Sequence, residues 1–132
     1  EKLRVTGSGL IEGVLTVLDS LTIQGLIVNG SSTFFGEVVF KDHVAFGQDS
    51  IGEAVVKKGK AEVSVVFDKE YDYIPKVNIS LVIDDGALED KILNEGYTYA
   101  VVKRSTEGFV IKLNKNASSD FRFSWSAFEG GN

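Results

Sequence analysis

The sequence predicts an all-β protein in two parts: an N-terminal stalk in which three copies interwind as a triple β-helix or β-prism, and a small antiparallel β-sandwich head. Between residues 10 and 51 the apolar residues recur every six positions, in alternating steps of four and two. This rhythm fits neither a helix nor a flat strand. After residue 51 the rhythm ends, and strand-length runs of alternating or β-branched residues follow. Fourteen glycines and one proline suit a chain that is dense in turns.

The six-residue repeat predicts that residues 1–50 form the stalk. A short strand followed by a tight corner produces such a rhythm in β-helices and β-prisms. The repeat shifts by one residue halfway, and its anchors are Ile11, Leu15, Val17, Leu21, Ile23 and Ile27, then Val28, Ser32, Phe34, Val38, Phe40, Val44, Phe46 and Ser50. Between the anchors lie the residue types that tight corners favour, namely Gly7, Gly13, Asp19, Gly25, Asn29, Gly30, Gly36, Asp42 and Gly47.

The length of the repeat predicts a homotrimer. Eight hexads wound three to a turn in one chain would rise only about 13 Å at ~4.8 Å per layer, with open strand edges at both ends. Three interwound chains would stack the same hexads to about 38 Å. Phe34, Phe40 and Phe46 repeat at one position of the hexad. Three copies of each would fill the axis, so these phenylalanines are the predicted trimer core, and a monomeric β-helix is the disfavoured alternative.

Residues 51–132 are predicted to form the head, which follows the polar junction GQDSIGE at residues 47–53. In the final strand Phe121, Phe123, Trp125 and Ala127 should face the core, because successive side chains of a strand alternate between its faces. The segment Ala87–Asn94 predicts a loop with one helical turn, since it is short. Strands are expected at Ala61–Phe67, Lys76–Ile83, Tyr97–Arg104, Gly108–Asn114 and Phe121–Phe128, with an additional short strand at Ala54–Val56.

Three segments of the head carry a family resemblance: VSVVFDKEYDYIPKVNISLVID, YTYAVVKRSTEGFVIKL and FRFSWSAF. Their landmarks, including Pro75 at a strand start and Trp125 in the closing strand, resemble the H-type lectin-like fold over about Ile51–Phe128. That fold is a six-stranded sandwich found as trimers in snail agglutinins, in the discoidin tail domain and in appended heads of fibrous surface and phage proteins. In the animal lectins an aromatic-and-histidine cluster between the last two strands helps to hold the sugar. The connection Asn114–Asp120 has neither residue type, so no residue of that cluster carries over.

The candidate ligand-binding residues are two short pairs. Asp84 and Asp85 form the densest carboxylate patch with the nearby Glu89 and Asp90, but lack the alternating spacing of a calcium loop. The resemblance implies that an aspartate here accepts sugar hydroxyls, and a solvated polar turn is the alternative. Tyr97 and Tyr99 would share one face of a strand. There they would either stack on a sugar or close a trimer interface.

Composition argues against several other functions. A net charge of −5 with interspersed signs disfavours nucleic-acid binding, and the apolar runs are far shorter than a membrane span of about 20 residues. The absence of cysteine excludes disulfides, zinc–thiolate sites and thiol catalysis. His43 is the one histidine of the sequence, and a single imidazole makes a poor metal site. With one histidine and no cysteine, the sequence also offers no set of nucleophile, base and orienting group for catalysis. No metal, cofactor or enzymatic activity is therefore expected.

The combined prediction is a non-enzymatic homotrimeric fibre tip or attachment module, as in an adhesin or a phage tail fibre. It would act outside the cell, at a cell surface or a virion surface, and bind a surface glycan or another cell-surface receptor. The alternative is a purely structural domain that trimerises and caps a fibrous protein. The chain has no methionine and begins within its own pattern, which predicts a piece excised from a longer protein.

Overall fold

A computed structural model of the chain describes residues 2–47 and 50–129. By its internal contacts the chain divides into two units, Glu1–Lys41 and Asp42–Asn132. The second unit contains all the regular elements of the described residues, which are β1 (Ile51–Val56), β2 (Glu62–Val66), β3 (Lys76–Val82), α1 (Gly86–Asn94), β4 (Tyr99–Val102), β5 (Gly108–Leu113) and β6 (Phe121–Phe128). The described fold is therefore all-β with one short helix.

The six strands form two antiparallel sheets of three strands each. The first sheet has the order β1-β6-β3 and the second has the order β2-β5-β4. In the first sheet Trp125 of β6 lies between Gly52 of β1 and Ile79 of β3. In the second sheet Ile111 of β5 lies between Val63 and Val101. Neither sheet is a simple meander, because β6 pairs with the distant strands β1 and β3, and β5 pairs with the distant β2 as well as with the adjacent β4.

Aromatic rings join the inner faces of the two sheets in one core. The ring of Trp125 lies 5.5 Å from that of Phe109, edge to face, and 6.0 Å from that of Phe67. Phe121 and Phe123 are fully buried on the same face of β6. The predicted alternation of the last strand is confirmed, since Phe121, Phe123, Trp125 and Ala127 are buried and Arg122, Ser124 and Phe128 are exposed.

Glycine at position 108 lets two strands of the second sheet approach closely. A Cβ atom added to Gly108 would lie 2.1 Å from the backbone oxygen of Val65 on the neighbouring strand. Real Cβ contacts do not reach such a distance, so only glycine fits here without a shift of the backbone. The predicted strand start at Gly108 therefore has a steric reason that its sequence context does not reveal.

The prediction for Ala87–Asn94 is wrong, because this segment belongs to a nine-residue α-helix rather than to a loop with one turn. The side chain of Asp85 caps its first turn by accepting a hydrogen bond from the backbone N–H of Ala87 at 3.0 Å. Ile92 is buried in the core between the sheets. Burial of this side chain stabilises a helix that would be marginal in isolation.

The predicted strand bounds differ from the observed ones by one residue at one or both ends in β2, β3 and β5, and by more in β1 and β4. β1 begins at Ile51, earlier than predicted, because β6 is long enough to pair with all six of its residues. β4 covers only Tyr99–Val102. It ends where Lys103 adopts the left-handed conformation, with φ of 50°, and it starts late because Tyr97 and Thr98 bond to the β5–β6 connection instead.

The described part of the repeat region, residues 2–47, contains bends but no helix or strand. The bends lie at residues 6–7, 12–13, 18–19, 24, 29–30, 35–36 and 41–42, and extended segments lie between them. From residue 12 onward each bend directly follows an anchor of the repeat, and the spacing of the bends shortens by one residue after position 24, where the anchors also shift. Most predicted corner positions lie in bends, but Gly25 directly follows the bend at Gln24 and Gly47 lies in no bend. The single chain does not show the predicted β-helix stalk.

Most apolar side chains and backbone groups of the described residues 2–47 have no partner within the chain, and Phe46, which packs on Phe128, is an exception. Every large apolar side chain between Leu3 and Phe46 is exposed, and Leu18 and Phe35 are 96% and 101% exposed. Among the described residues 2–46 no backbone–backbone hydrogen bond forms. Buried apolar side chains and paired backbone groups are the two main requirements of a stable fold, and this region meets neither within one chain.

Candidate functional site

Asp84 and Asp85 lie at one end of the two sheets, where β3 leads into α1. Both are exposed, and Asp85 caps the helix. They line a cavity of about 150 Å³, here called the carboxylate cavity, whose walls are Val82, Ile83, Asp84, Asp85, Leu88, Ile92, Asp120 and Arg122. β3, α1 and the start of β6 thus place two predicted ligand residues beside a third carboxylate and a guanidinium.

Asp120 is fixed by the turn between β1 and β2. Its carboxylate accepts a hydrogen bond from the backbone N–H of Lys58 at 2.9 Å and lies 3.5 Å from the ammonium of Lys57. The Lys58 hydrogen bond, with help from the charge of Lys57, holds the pKa of the Asp120 carboxyl below its ordinary value. Asp120 is therefore ionised at neutral pH and acts as an acceptor.

Arg122 adds the donor side of the cavity. Its guanidinium donates to the carboxylate of Glu53 on the neighbouring strand at 3.3 Å. A guanidinium carries five N–H groups, so the bond to Glu53 leaves other N–H groups of Arg122 as donors for a ligand. With the apolar side chains of Leu88 and Ile92 beside it, the cavity offers acceptors, a donor and an apolar wall, which together suit a polyhydroxylated ligand.

Tyr97 ties two loops together at the same end of the sheets. Its hydroxyl donates to the backbone oxygen of Asn116 at 3.0 Å and accepts from the backbone N–H of Ser118 at 2.8 Å. Its ring packs edge to face on Phe121, and the ammonium of Lys115 lies 4.6 Å from the ring centroid. These contacts give Tyr97 a structural part, while its predicted part in ligand binding stays a prediction.

Glu95 completes this loop network. Its carboxylate accepts a hydrogen bond from the Ser118 hydroxyl at 2.6 Å, and its backbone oxygen accepts one from the Lys115 ammonium. The Ser118 hydrogen bond holds the pKa of the Glu95 carboxyl below its ordinary value, aided by Tyr97 and by the charges of Lys91 and Lys115. The sequence gives no signal for this network, because Glu95 and Ser118 are far apart along the chain.

The structure does not bring the aspartate pair and Tyr99 into one cavity. Tyr99 is 41% exposed, and its ring packs edge to face on Phe123 with centroids 5.0 Å apart. It lines a separate, shallow cavity of about 270 Å³ on the second sheet, together with Lys112 and Asn114. Asp120 and Arg122 are the neighbours of Asp84 instead, and neither was among the predicted site residues.

The predicted trimer-core phenylalanines are exposed in the single chain. Phe34 and Phe40 are each 69% exposed. Phe46 is half exposed and packs edge to face on Phe128 of β6, with ring centroids 5.8 Å apart. Their placement on a shared axis stays a prediction.

Within residues 2–47 and 50–129, no group of three or more histidine, cysteine, aspartate or glutamate side chains is arranged to hold a metal ion. Over the same residues, α1 is the single helix, and it is too short and too polar to cross a bilayer.

Comparison with known proteins returns no match: neither a scan against protein-family models nor searches of curated proteins and of solved structures find one. The function must therefore be argued from the residues themselves.

Proposed function

We propose that the chain is the tip of a homotrimeric fibre outside the cell, on a cell or virion surface, with a lectin-like β-sandwich head that attaches to surface glycans. The observation that carries the trimer is the repeat region, where apolar anchors and unpaired backbone recur between bends spaced six residues apart. Sister chains in register would supply strands for that backbone and cover the anchors. Each large side chain so buried contributes roughly 1.5–3 kcal/mol.

Attachment is supported by the carboxylate cavity. The ionised Asp120, the exposed pair Asp84 and Asp85, and the guanidinium of Arg122 surround a cavity of about 150 Å³. Carboxylates accept hydrogen bonds from vicinal hydroxyls, while Leu88 and Ile92 offer an apolar wall to the C–H face of a sugar. With Lys57 beside Asp120 and Glu53 beside Arg122 included, four carboxylates stand against two cations, which disfavours acidic sugars and favours neutral or amino sugars. Three such sites on one trimer gain avidity on a repetitive surface.

A structural cap is the second candidate function, and the network at Tyr97 favours it. The hydroxyl of Tyr97 is engaged on both sides and its ring is covered by Phe121 and Lys115. Because the polar and aromatic groups of Tyr97 are used within the chain, this end of the sheets suits a domain that caps the fibre without binding a ligand.

The oligomeric state is tested by light scattering on the intact chain. The proposal expects three times the chain mass of 14.3 kDa. A monomer at micromolar concentration would overturn the fibre assignment.

Glycan binding is tested with the trimer on an array that includes neutral, amino and acidic glycans. Wild-type protein should bind a neutral or amino glycan, and Asp84→Asn should abolish binding because it removes an acceptor charge at nearly constant shape. Glu62→Gln, an exposed carboxylate on β2, is the matched control and should bind as the wild type does. A trimer that binds no glycan would favour the structural cap.

A further inference from the structure

The outward face of the first sheet is built from small polar residues around a groove. Because Phe121, Phe123 and Trp125 of β6 face inward, Ser124 and Ser126 point outward along the centre of the sheet. Ser124 lies between Glu53 and Ser80 in register, and Ser126 lies between the flanking strands' Ile51 and Asn78. The groove along these residues has a volume of about 610 Å³. Small side chains here would let another surface approach closely.

Apolar side chains border this groove at one end. Phe46, Ile51 and Phe128 are each between 42% and 50% exposed, and Phe46 packs on Phe128. Phe46 and Ile51 also line the groove itself. Apolar side chains at the border of an open groove are typical of a surface that another molecule covers.

Phe46 identifies the occupant of this groove. It is the last phenylalanine of the hexad series Phe34, Phe40 and Phe46, and it lies within the same unit as the sheets. The proposed homotrimer covers that series with the equivalent residues of two sister chains. Sister chains that reach Phe46 also reach Phe128 and the groove beside it, because the two rings are in contact.

We propose that the outward face of the first sheet along Ser124 and Ser126 packs against the same face of the two other copies in the trimer, while Arg122, near the start of β6, lies beyond this interface beside the carboxylate cavity. This inference rests on the proposed homotrimer and assigns its head interface. The second sheet then faces outward. The serines at the centre of the face allow close packing, and the apolar border extends the hexad series into the head.

Single cysteines test this assignment cleanly, because the chain has no cysteine of its own. Ser124→Cys places a thiol on the proposed interface, and Ser64→Cys places one on the outward face of the second sheet. Both serines are exposed and lie within strands, so they form a matched pair. The reaction of each variant with a maleimide is followed on the assembled protein, and again in denaturant.

The expected result is that the assembled Ser124→Cys variant reacts at least tenfold more slowly than Ser64→Cys, and that the two react equally fast in denaturant. Equal rates on a protein that light scattering shows to be trimeric would overturn the interface and leave the trimer standing. Equal rates on a monomer would overturn both proposals.

A second pair of variants gives an independent readout. Ser124→Arg should lower the midpoint of thermal dissociation of the trimer, because it puts three cations into the interface, whereas Ser64→Arg should leave that midpoint unchanged. Equal midpoints for the two variants would contradict the proposal.

Discussion

The repeat region and the sheet region are rich in the same apolar residue types, yet they use them in opposite ways. Between residues 50 and 129 the apolar side chains of β5 and β6 meet in one core, and the backbone pairs within the chain. Between residues 2 and 47 comparable side chains are exposed, and the backbone makes no pairs with itself. The difference lies in the period of the pattern. The period-two pattern forms two sheets that close on each other, whereas the six-residue pattern forms no sheet within the described residues 2–47.

The largest expected effect is the loss of the proposed trimer when a charge replaces a phenylalanine of the series Phe34, Phe40 and Phe46. Phe34→Asp would place three carboxylates in one layer of the proposed trimer and remove three buried rings, each worth about 3–5 kcal/mol. We therefore expect complete dissociation, measured as the mass in light scattering. The neighbouring Phe35→Asp is the matched control, because Phe35 lies at a bend and off the anchor series. A Phe34→Asp trimer as stable as the Phe35→Asp trimer would refute the assignment of the anchors.

The sheet region should lose stability for a different reason, which is a steric clash within a single chain. Gly108→Ala would force a methyl group against the backbone oxygen of Val65, and we expect a loss of about 3 kcal/mol or more in the free energy of unfolding. Urea unfolding monitored by Trp125 fluorescence measures it. Gly86→Ala has open space around it at the first residue of α1 and should change stability little. Similar losses for the two variants would show that the close approach at Gly108 is not limiting.

Acid should also act on the sheet region, through Glu95 and Asp120. Both folded-state pKa values are lowered, by the Ser118 and Lys58 hydrogen bonds respectively. A lowered pKa adds stability above the unfolded value, near 4 for carboxyl groups, and this stability is lost as the pH falls through the folded value. Thermal unfolding between pH 7 and 3 should therefore show a fall at the acid end that is smaller in Glu95→Gln and Asp120→Asn. An unchanged acid profile in both variants would rule out this linkage.

The smallest expected effect is a difference in melting temperature between substitutions of two adjacent serines in the β5–β6 connection. Ser118 bonds Glu95, whereas the hydroxyl oxygen of Ser119 is buried and has no hydrogen-bond partner among the described residues. Ser118→Ala should lower the melting temperature by a few degrees, and Ser119→Ala should leave it unchanged or raise it slightly. The reverse order would show that Ser119 has a partner in solution.

Patterns of short range predicted much of this fold. The alternation in β6 identified its buried face, because a strand side chain's direction depends only on its position. Most bends of the repeat region include a predicted Gly, Asn or Asp position for the same local reason, the bend at Gln24 being the exception. The helix at Gly86–Asn94 was underestimated, because its stability depends on the burial of Ile92 by distant strands.

The candidate site was only partly predictable, because its geometry is made by distant pairs. Asp84 and Asp85 were found from their density in sequence, but their cavity neighbours lie more than thirty residues later, Asp120 just before β6 and Arg122 within it. The engagement of Tyr97 by Asn116 and Ser118 spans about twenty residues and follows no periodic pattern. Contacts of this kind depend on which strands pair, and pairing is not encoded in any short segment.

The shortened spacing after residue 24 has a consequence for alignment. A strictly periodic repeat does not define the register between chains, because copies that slide past one another by six residues match again in every layer. The single five-residue step breaks that degeneracy. Three chains that slipped by one hexad would set this step against regular layers. The step therefore favours the one register in which the five-residue steps of all three chains lie in the same layer.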